Sequence, residues 1–195
     1  MTTERSSKAN EIISYTRQLL TNGGYRSFSF ADISDKVQIR KASIYHYFPG
    51  KADLVKVVVA EYREEARTGM QAMSQHINNP AAELQAYVNY WVTCIREGSS
   101  PFCICAMLAA ELPSLPPEVA HEVTGHFMDL ADWLASVLQR GENAKCFQIR
   151  DTHANVANLL MATVHGAMLS ARAFNDVEIF QKTVQPMIDS ITIID

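Results

Sequence analysis

The sequence predicts an all-α protein, and three observations carry that reading. Apolar side chains recur at helical spacing in nearly every segment. The segments are separated by clusters of Gly, Pro and Asn. The one run that reads as a strand, Val57-Val58-Val59, sits among Leu54, Ala60 and Tyr62 with no turn signal nearby, which favours helix.

Taken in order, Ala9, Ile12, Ile13, Thr16, Leu19 and Leu20 form one helix face, ended by Gly23-Gly24. In SFSFADISDKV, Ser29 is an N-cap with Asp32 three residues on, a carboxylate variant of the capping box. Phe30, Ile33 and Val37 give this short second helix its inward face. A third short helix fits residues 41–47, with Ile44 and Phe48 facing in, before Pro49-Gly50 breaks the chain. A longer helix starts at Lys51. Later breaks are expected at Asn78-Asn79-Pro80, 98–101 (GSSP), 113–117 (PSLPP), 140–143 (RGEN) and Asn175-Asp176.

Between these breaks lie two amphipathic segments, one with Leu84, Tyr87, Val88, Trp91 and Ile95, the other with Val119, Val123, Phe127, Leu130, Leu134 and Leu138. Residues 153–174 are apolar nearly all round, so both faces should be buried. The last segment carries Phe180, Val184, Ile188 and Ile191 on one stripe, with Pro186 expected to bend it. Pairing these two helices with their copies in a four-helix bundle buries them. Ala157, Met161, Val164, Met168, Phe180, Val184 and Ile188 are the candidate dimer residues.

Composition narrows the function. No apolar run approaches the ~20 residues that span a bilayer, and the first residues lack a secretory h-region. With that, Cys94, Cys103, Cys105 and Cys146 point to free thiols in a reducing cytoplasm. Net charge is −4, but residues 1–56 hold nine Lys/Arg against five Asp/Glu and the remainder eight against sixteen. A basic front on an acidic body suggests a nucleic-acid-binding arm.

Three helices packed by Phe28, Phe30, Ile33, Val37, Ile39, Ile44 and Phe48, with a tight link between the second and third, make a helix-turn-helix. The third helix enters the major groove. Arg40 and Lys41 can donate to guanine or phosphate, Ser43 allows close approach, and Ala42 can touch a thymine methyl. The hydroxyls of Tyr45 and Tyr47 can reach backbone oxygens, and His46 can serve either role. Ser29 and Lys51, each at a helix start, are placed for phosphate.

Residues 24–55, GYRSFSFADISDKVQIRKASIYHYFPGKADLV, also resemble the DNA-binding domain of the TetR family of repressors. The family's aromatic-x-aromatic-Phe-x-x-Lys run is matched by Tyr45, Tyr47, Phe48 and Lys51. The Gly-aromatic opening, the hydroxyl-capped second helix and Asp32-Ile33 match too. Gln38-Ile39-Arg40 departs from the Gly-Val-Ser of many members. The resemblance implies an all-helical repressor of about nine helices, with DNA binding in residues 1–52 and ligand binding and dimerisation in 53–195. It also implies a homodimer through the last two helices, a palindromic operator in double-stranded DNA, and an inducer pocket in the C-terminal domain.

The nature of the signal stays open between two readings. Cys103 falls near a helix start after a Gly/Ser/Pro break, where a thiol gains reactivity. The stretch 98–115, GSSPFCICAMLAAELPSL, is similar to a branch of TetR regulators that answer electrophiles and oxidants, typified by the N-ethylmaleimide-responsive repressor; Cys103 matches by position and Cys105 is extra. On a helix, these two cysteines would point about 200° apart. Both are equally readable as small core residues. Alternatively Trp91, Phe102, Met107, Phe127, Met128, Trp133, Met161, His165 and Met168 line a cavity for an apolar ligand, although such residues also make plain core. HEVTGH spaces His121 and His126 five apart, about 140° around a helix, which denies both to one zinc ion. No metal, cofactor, membrane or enzymatic role is expected. The remaining alternative is a helical small-molecule-binding protein without operator binding.

Overall fold

The structure is a computed structural model and describes residues 6–98 and 102–193. Among the described residues there are nine α-helices: α1 Ser7–Gly23, α2 Phe30–Val37, α3 Lys41–Tyr47, α4 Lys51–His76, α5 Pro80–Glu97, α6 Ile104–Ala109, α7 Pro117–Asn143, α8 His153–Phe174 and α9 Val177–Ile191. The chain divides into two compact units. The first comprises Met1–Glu64 and Cys103–His126, the second Glu65–Phe102 and Phe127–Asp195. The break expected at 98–101 lies, beyond Gly98, outside the described residues.

In the first unit α1 starts where the Ser6 hydroxyl accepts the Ala9 N–H (3.2 Å). It stops at Gly24, whose φ of 78° suits glycine. The capping box of α2 is present: Ser29 Oγ accepts from Ala31, and Asp32 Oδ2 accepts the Ser29 N–H at 2.6 Å. At the end of α2 Gln38 takes the left-handed conformation (φ 56°, ψ 48°). This is the position where the family pattern has glycine, and a side-chain bond to the Asp35 carbonyl (2.6 Å) holds it there. Ile12, Leu20, Ile33, Ile44, Leu54 and Val58 are sealed from water in this unit. Each contributes about 1.5–3 kcal/mol by leaving solvent.

In the second unit α5 opens on Pro80, with Asn79 Oδ1 capping Ala81 and Ala82. Its face of Leu84, Tyr87, Val88 and Trp91 is buried, as is Leu130-Leu134-Leu138 of α7. Helix α9 packs along α8 and also meets α5. Pro186 lies inside α9 on its exposed side, where the carbonyl it fails to bond can meet water.

One expected break falls at the far end of its range, since α7 continues through 140–143 and ends at Asn143. Gly141 serves packing there rather than termination: a Cβ at this position would overlap the ring of buried Phe147. Gly141→Ala is expected to lower the unfolding free energy by about 1–3 kcal/mol by overpacking, read from the urea midpoint.

A second correction concerns the helix pair. Ala157, Val164, Met168, Phe180, Val184 and Ile188 are buried within the single chain, and Met161 is half-buried. These side chains form the subunit's own core, because α8 and α9 turn them towards each other and α5. The stripe that α8 leaves at the surface is Leu159, Ala162, Gly166, Leu169 and Ala173, spaced three or four apart. Beyond the helix's own neighbouring backbone, none of the described residues lies within 4 Å of where a Gly166 Cβ would stand.

Candidate nucleic-acid interface and signal sites

Helix α3 has seven residues and buries one of them, Ile44, with Phe48 closing the core just after it. Arg40, at the N-cap, and Lys41, Ala42, Tyr45, His46 and Tyr47 are exposed, while Ser43 is half-buried. The aromatic side chains are braced rather than loose. The ring of Tyr45 meets Phe30 of α2 edge-on at 5.0 Å between centroids, and His46 meets Tyr47 at 5.5 Å. Two rigid hydroxyl-bearing arms therefore stand on a short helix that begins with two cations, an arrangement suited to phosphates and base edges.

Two of the nine residues expected to meet DNA are committed to the head itself. The Ser29 hydroxyl caps α2 and donates to Asp32 Oδ2 at 2.8 Å. The hydrogen bonds from the Ser29 N–H and hydroxyl hold the Asp32 carboxyl below its ordinary range. The sequence expects Lys51 to face phosphate, and the structure corrects this. Its ammonium turns inward, donates to the Phe28 carbonyl and lies over the rings of Phe28 (4.0 Å) and Tyr25 (4.7 Å). Burial lowers its proton affinity, while Glu111 and Asp32 pull the other way.

The cysteines also depart from expectation. Cys103 is the N-cap of α6 with extended backbone (φ −67°, ψ 122°), so helical spacing does not separate it from Cys105. Instead, the two thiols come within hydrogen-bonding reach of each other, and both are fully buried. Cys103 Sγ lies 3.8 Å from His126 Nε2, and His126 is in ring contact with Tyr62 at 5.4 Å. Helix α6 is only six residues long, a weak source of dipole for Cys103. Burial and the neighbouring Cys103 push the Cys105 thiol well up, although the Arg63 charge acts in the opposite sense. Arg63 itself pairs with Glu122 at 3.2 Å.

The other candidate signal residues divide between the units. Met107 lies in the first, beside Gly24. Trp91, Phe102, Phe127, Trp133, Met161, His165 and Met168 lie in the second. Met128 is 62% exposed and takes no part in the interior. Phe127 and His165 form a ring pair at 5.2 Å, and Trp133 Nε1 donates to Ser74 Oγ (3.0 Å). Two buried nitrogens in this unit, Trp91 Nε1 and His165 Nε2, have no hydrogen-bond partner among the described residues, which is unusual for buried polar atoms. Among the described residues no three His, Cys, Asp or Glu are placed to hold a metal ion, and no helix is long and apolar enough to cross a membrane.

Sequence reasoning passed over Glu111, which reaches the α1–α2 turn, and the pairing of buried Glu83 with Arg140. Their partners are 86 and 57 residues away, and no local pattern marks such pairs.

Comparison with known proteins bears on both units. Residues 12–58 match the family model of bacterial regulatory proteins, tetR family, and residues 80–187 match that of the tetracyclin repressor-like C-terminal domain. No curated protein matches the chain. Among solved structures, a TetR-family transcriptional regulator from Agrobacterium tumefaciens is 48% identical, with a TM-score of 0.94 over 96% of this chain and 98% of that one. A TetR transcriptional regulator from Legionella pneumophila is similar at 22% identity and TM-score 0.86, covering 97% and 100% of the two chains. The reduced form of E. coli NemR is similar at 16% identity and TM-score 0.83, covering 95% and 98%. The last two likenesses are of fold.

Proposed function

Because the chain belongs to the TetR family of bacterial transcriptional regulators, which bind DNA and small-molecule ligands and work as dimers, we propose that it is a one-component repressor. It binds a palindromic operator as a homodimer and is released by a small molecule or a thiol-reactive electrophile. DNA binding is assigned to residues 1–52, and ligand binding and dimerisation to 53–195. The observation that carries this reading is α3, which buries only Ile44 and offers Lys41, Ala42, Tyr45, His46 and Tyr47 outward.

The exposed Leu159-Ala162-Gly166-Leu169-Ala173 stripe is the surface we assign to the second copy, since its small residues allow close helix approach. For the signal, Cys103 supplies a thiol 3.8 Å from the imidazole of His126. The unpartnered Trp91 and His165 nitrogens favour an apolar ligand carrying a hydrogen-bond acceptor. Moving such a dimer from mostly bound to mostly free requires ~5.5 kcal/mol of differential affinity.

The test is the salt dependence of binding to labelled DNA from upstream of the protein's own gene, read by anisotropy. Replacing both Arg40 and Lys41 by alanine is expected to flatten the slope of log K against log salt by about 0.9 for each phosphate no longer neutralised. Lys51→Met is expected to leave the slope unchanged, because that ammonium is held inside the head. A wild-type protein that ignores the DNA at low salt would sink the repressor reading. A double variant with an unaltered slope would remove α3 from the interface.

A further inference from the structure

The turn that joins α1 to α2, residues 24–29, decides how α2 is presented, and two side chains grip it from opposite ends. Lys51 holds its far end through the Phe28 carbonyl. Glu111, just past α6, holds its near end: Oε1 accepts the Tyr25 N–H at 2.8 Å. The fit is close, because a Cβ on Gly24 would overlap Glu111 Oε1. The second carboxylate oxygen, Oε2, is buried and accepts no hydrogen bond from the described residues. A buried acceptor left open in this way is normally costly, and the Lys51 charge offsets that cost electrostatically.

From the gripped turn the contacts run on towards the DNA-facing helix. Phe28 leads directly to the Ser29 cap of α2, and Phe30, the first residue of α2, braces Tyr45 on α3. We propose that Glu111 is a positioning residue for DNA recognition, latching the α1–α2 turn through Tyr25 so that α2 and the Tyr45 arm of α3 are held at a fixed orientation. The proposal rests on the reading of α3 as the DNA-contacting helix and adds to it a residue that touches no DNA. The carboxylate is a better latch than a neutral group, since a charged acceptor makes the stronger bond to an amide. A glutamate also supplies the length needed to reach from the α6 side.

The test uses the full-length protein with Glu111→Leu and Glu111→Gln. It reads amide hydrogen exchange at Tyr25 together with affinity and salt slope on the upstream DNA. Glu111→Leu is expected to speed exchange at Tyr25 at least about tenfold and to weaken DNA binding by a similar factor. The salt slope should stay as in wild type, because every phosphate keeps its cation, and exchange within α5 and α8 should not change. Glu111→Gln keeps the acceptor and should restore most of both properties.

Unchanged Tyr25 exchange or unchanged affinity in Glu111→Leu overturns the latch. So does a loss of affinity accompanied by faster exchange throughout α1, which would mark general loosening of the fold. A wild-type protein that fails to bind the DNA defeats the repressor reading instead, and Tyr25 exchange still reports on the latch independently.

Discussion

Replacing Arg140 by methionine is expected to cost about 3 kcal/mol of unfolding free energy, more than removing its partner. Arg140 Nη1 lies 2.8 Å from Glu83 Oε2, and Nη2 donates to Oε1 at 3.0 Å. Glu83 is completely buried, whereas the Arg140 side chain is 38% exposed. That asymmetry decides which loss is worse. Without Arg140, a buried carboxylate keeps only the hydroxyl of Ser74, at 2.6 Å, to satisfy it. Breaking a buried pair in this way typically costs 3–5 kcal/mol, and the Ser74 bond places this case at the lower end. In Glu83→Gln the guanidinium left behind still reaches water, and the expected cost is about 1 kcal/mol. For a chain of this size each kcal/mol corresponds to roughly 2–4 °C in melting temperature. Urea midpoints at one fixed protein concentration check the order, because dimerisation shifts stability by mass action. The combined Glu83→Leu/Arg140→Met variant should be more stable than Arg140→Met alone, since apolar replacement of both partners removes the stranded charge. If the two changes simply add, the pair is uncoupled and a stranded charge is not the cause of the loss.

The same network shows where the sequence stops being informative. Glu83 lies in the first turn of α5, where an acidic residue normally faces water and complements the helix dipole. Its burial depends on Ser74, Trp133 and Arg140, which arrive from α4 and α7. Tertiary partners of this kind leave no periodic trace. The reading head is legible because its determinants are local: the Ser29–Asp32 capping box, the spacing of Phe30, Ile33 and Val37, and the Pro49-Gly50 stop lie within some twenty residues. Lys51 reads as a phosphate ligand in the sequence because the amides of a helix start and a neighbouring ammonium would together favour an anion. Only the fold shows two aromatic rings forming a slot beneath it. For α8 the apolar character on both sides is correct, but periodicity alone does not say which stripe a neighbour within the chain will take. Val156, Leu160, Val164 and Met168 go inward and Leu159 and Leu169 stay out. In the same way, the helical geometry that would separate Cys103 from Cys105 begins one residue too late to apply.

In the native protein a maleimide is expected to label Cys146 first, with Cys103 and Cys105 at least about a hundredfold slower. Cys146 sits half-buried after α7. Cys103 and Cys105 are fully buried, so a reagent reaches them only when the surrounding structure opens. An opening that costs about 3 kcal/mol alone accounts for roughly two powers of ten in rate. Cys105 has a second handicap. Burial and the Cys103 thiol beside it raise its proton affinity, so little thiolate is present at neutral pH even when it is reached.

The same shift has a sign in stability. A thiol held protonated in the folded state favours folding fully below its ordinary value of 9.0, and that contribution is lost as pH rises beyond it. Relative to Cys105→Ala, the wild-type protein should therefore weaken as pH is raised above 9.0. The labelling rates then decide between the two signals. If an electrophile is the inducer, loss of DNA binding must follow the slow modification of Cys103 in time, and Cys146→Ser must leave that time course alone. If DNA binding is lost with the fast phase, Cys146 carries the response; if it survives complete labelling of Cys103, the buried thiols are core. The signal then belongs to a reversible ligand that meets the unpartnered Trp91 and His165 nitrogens.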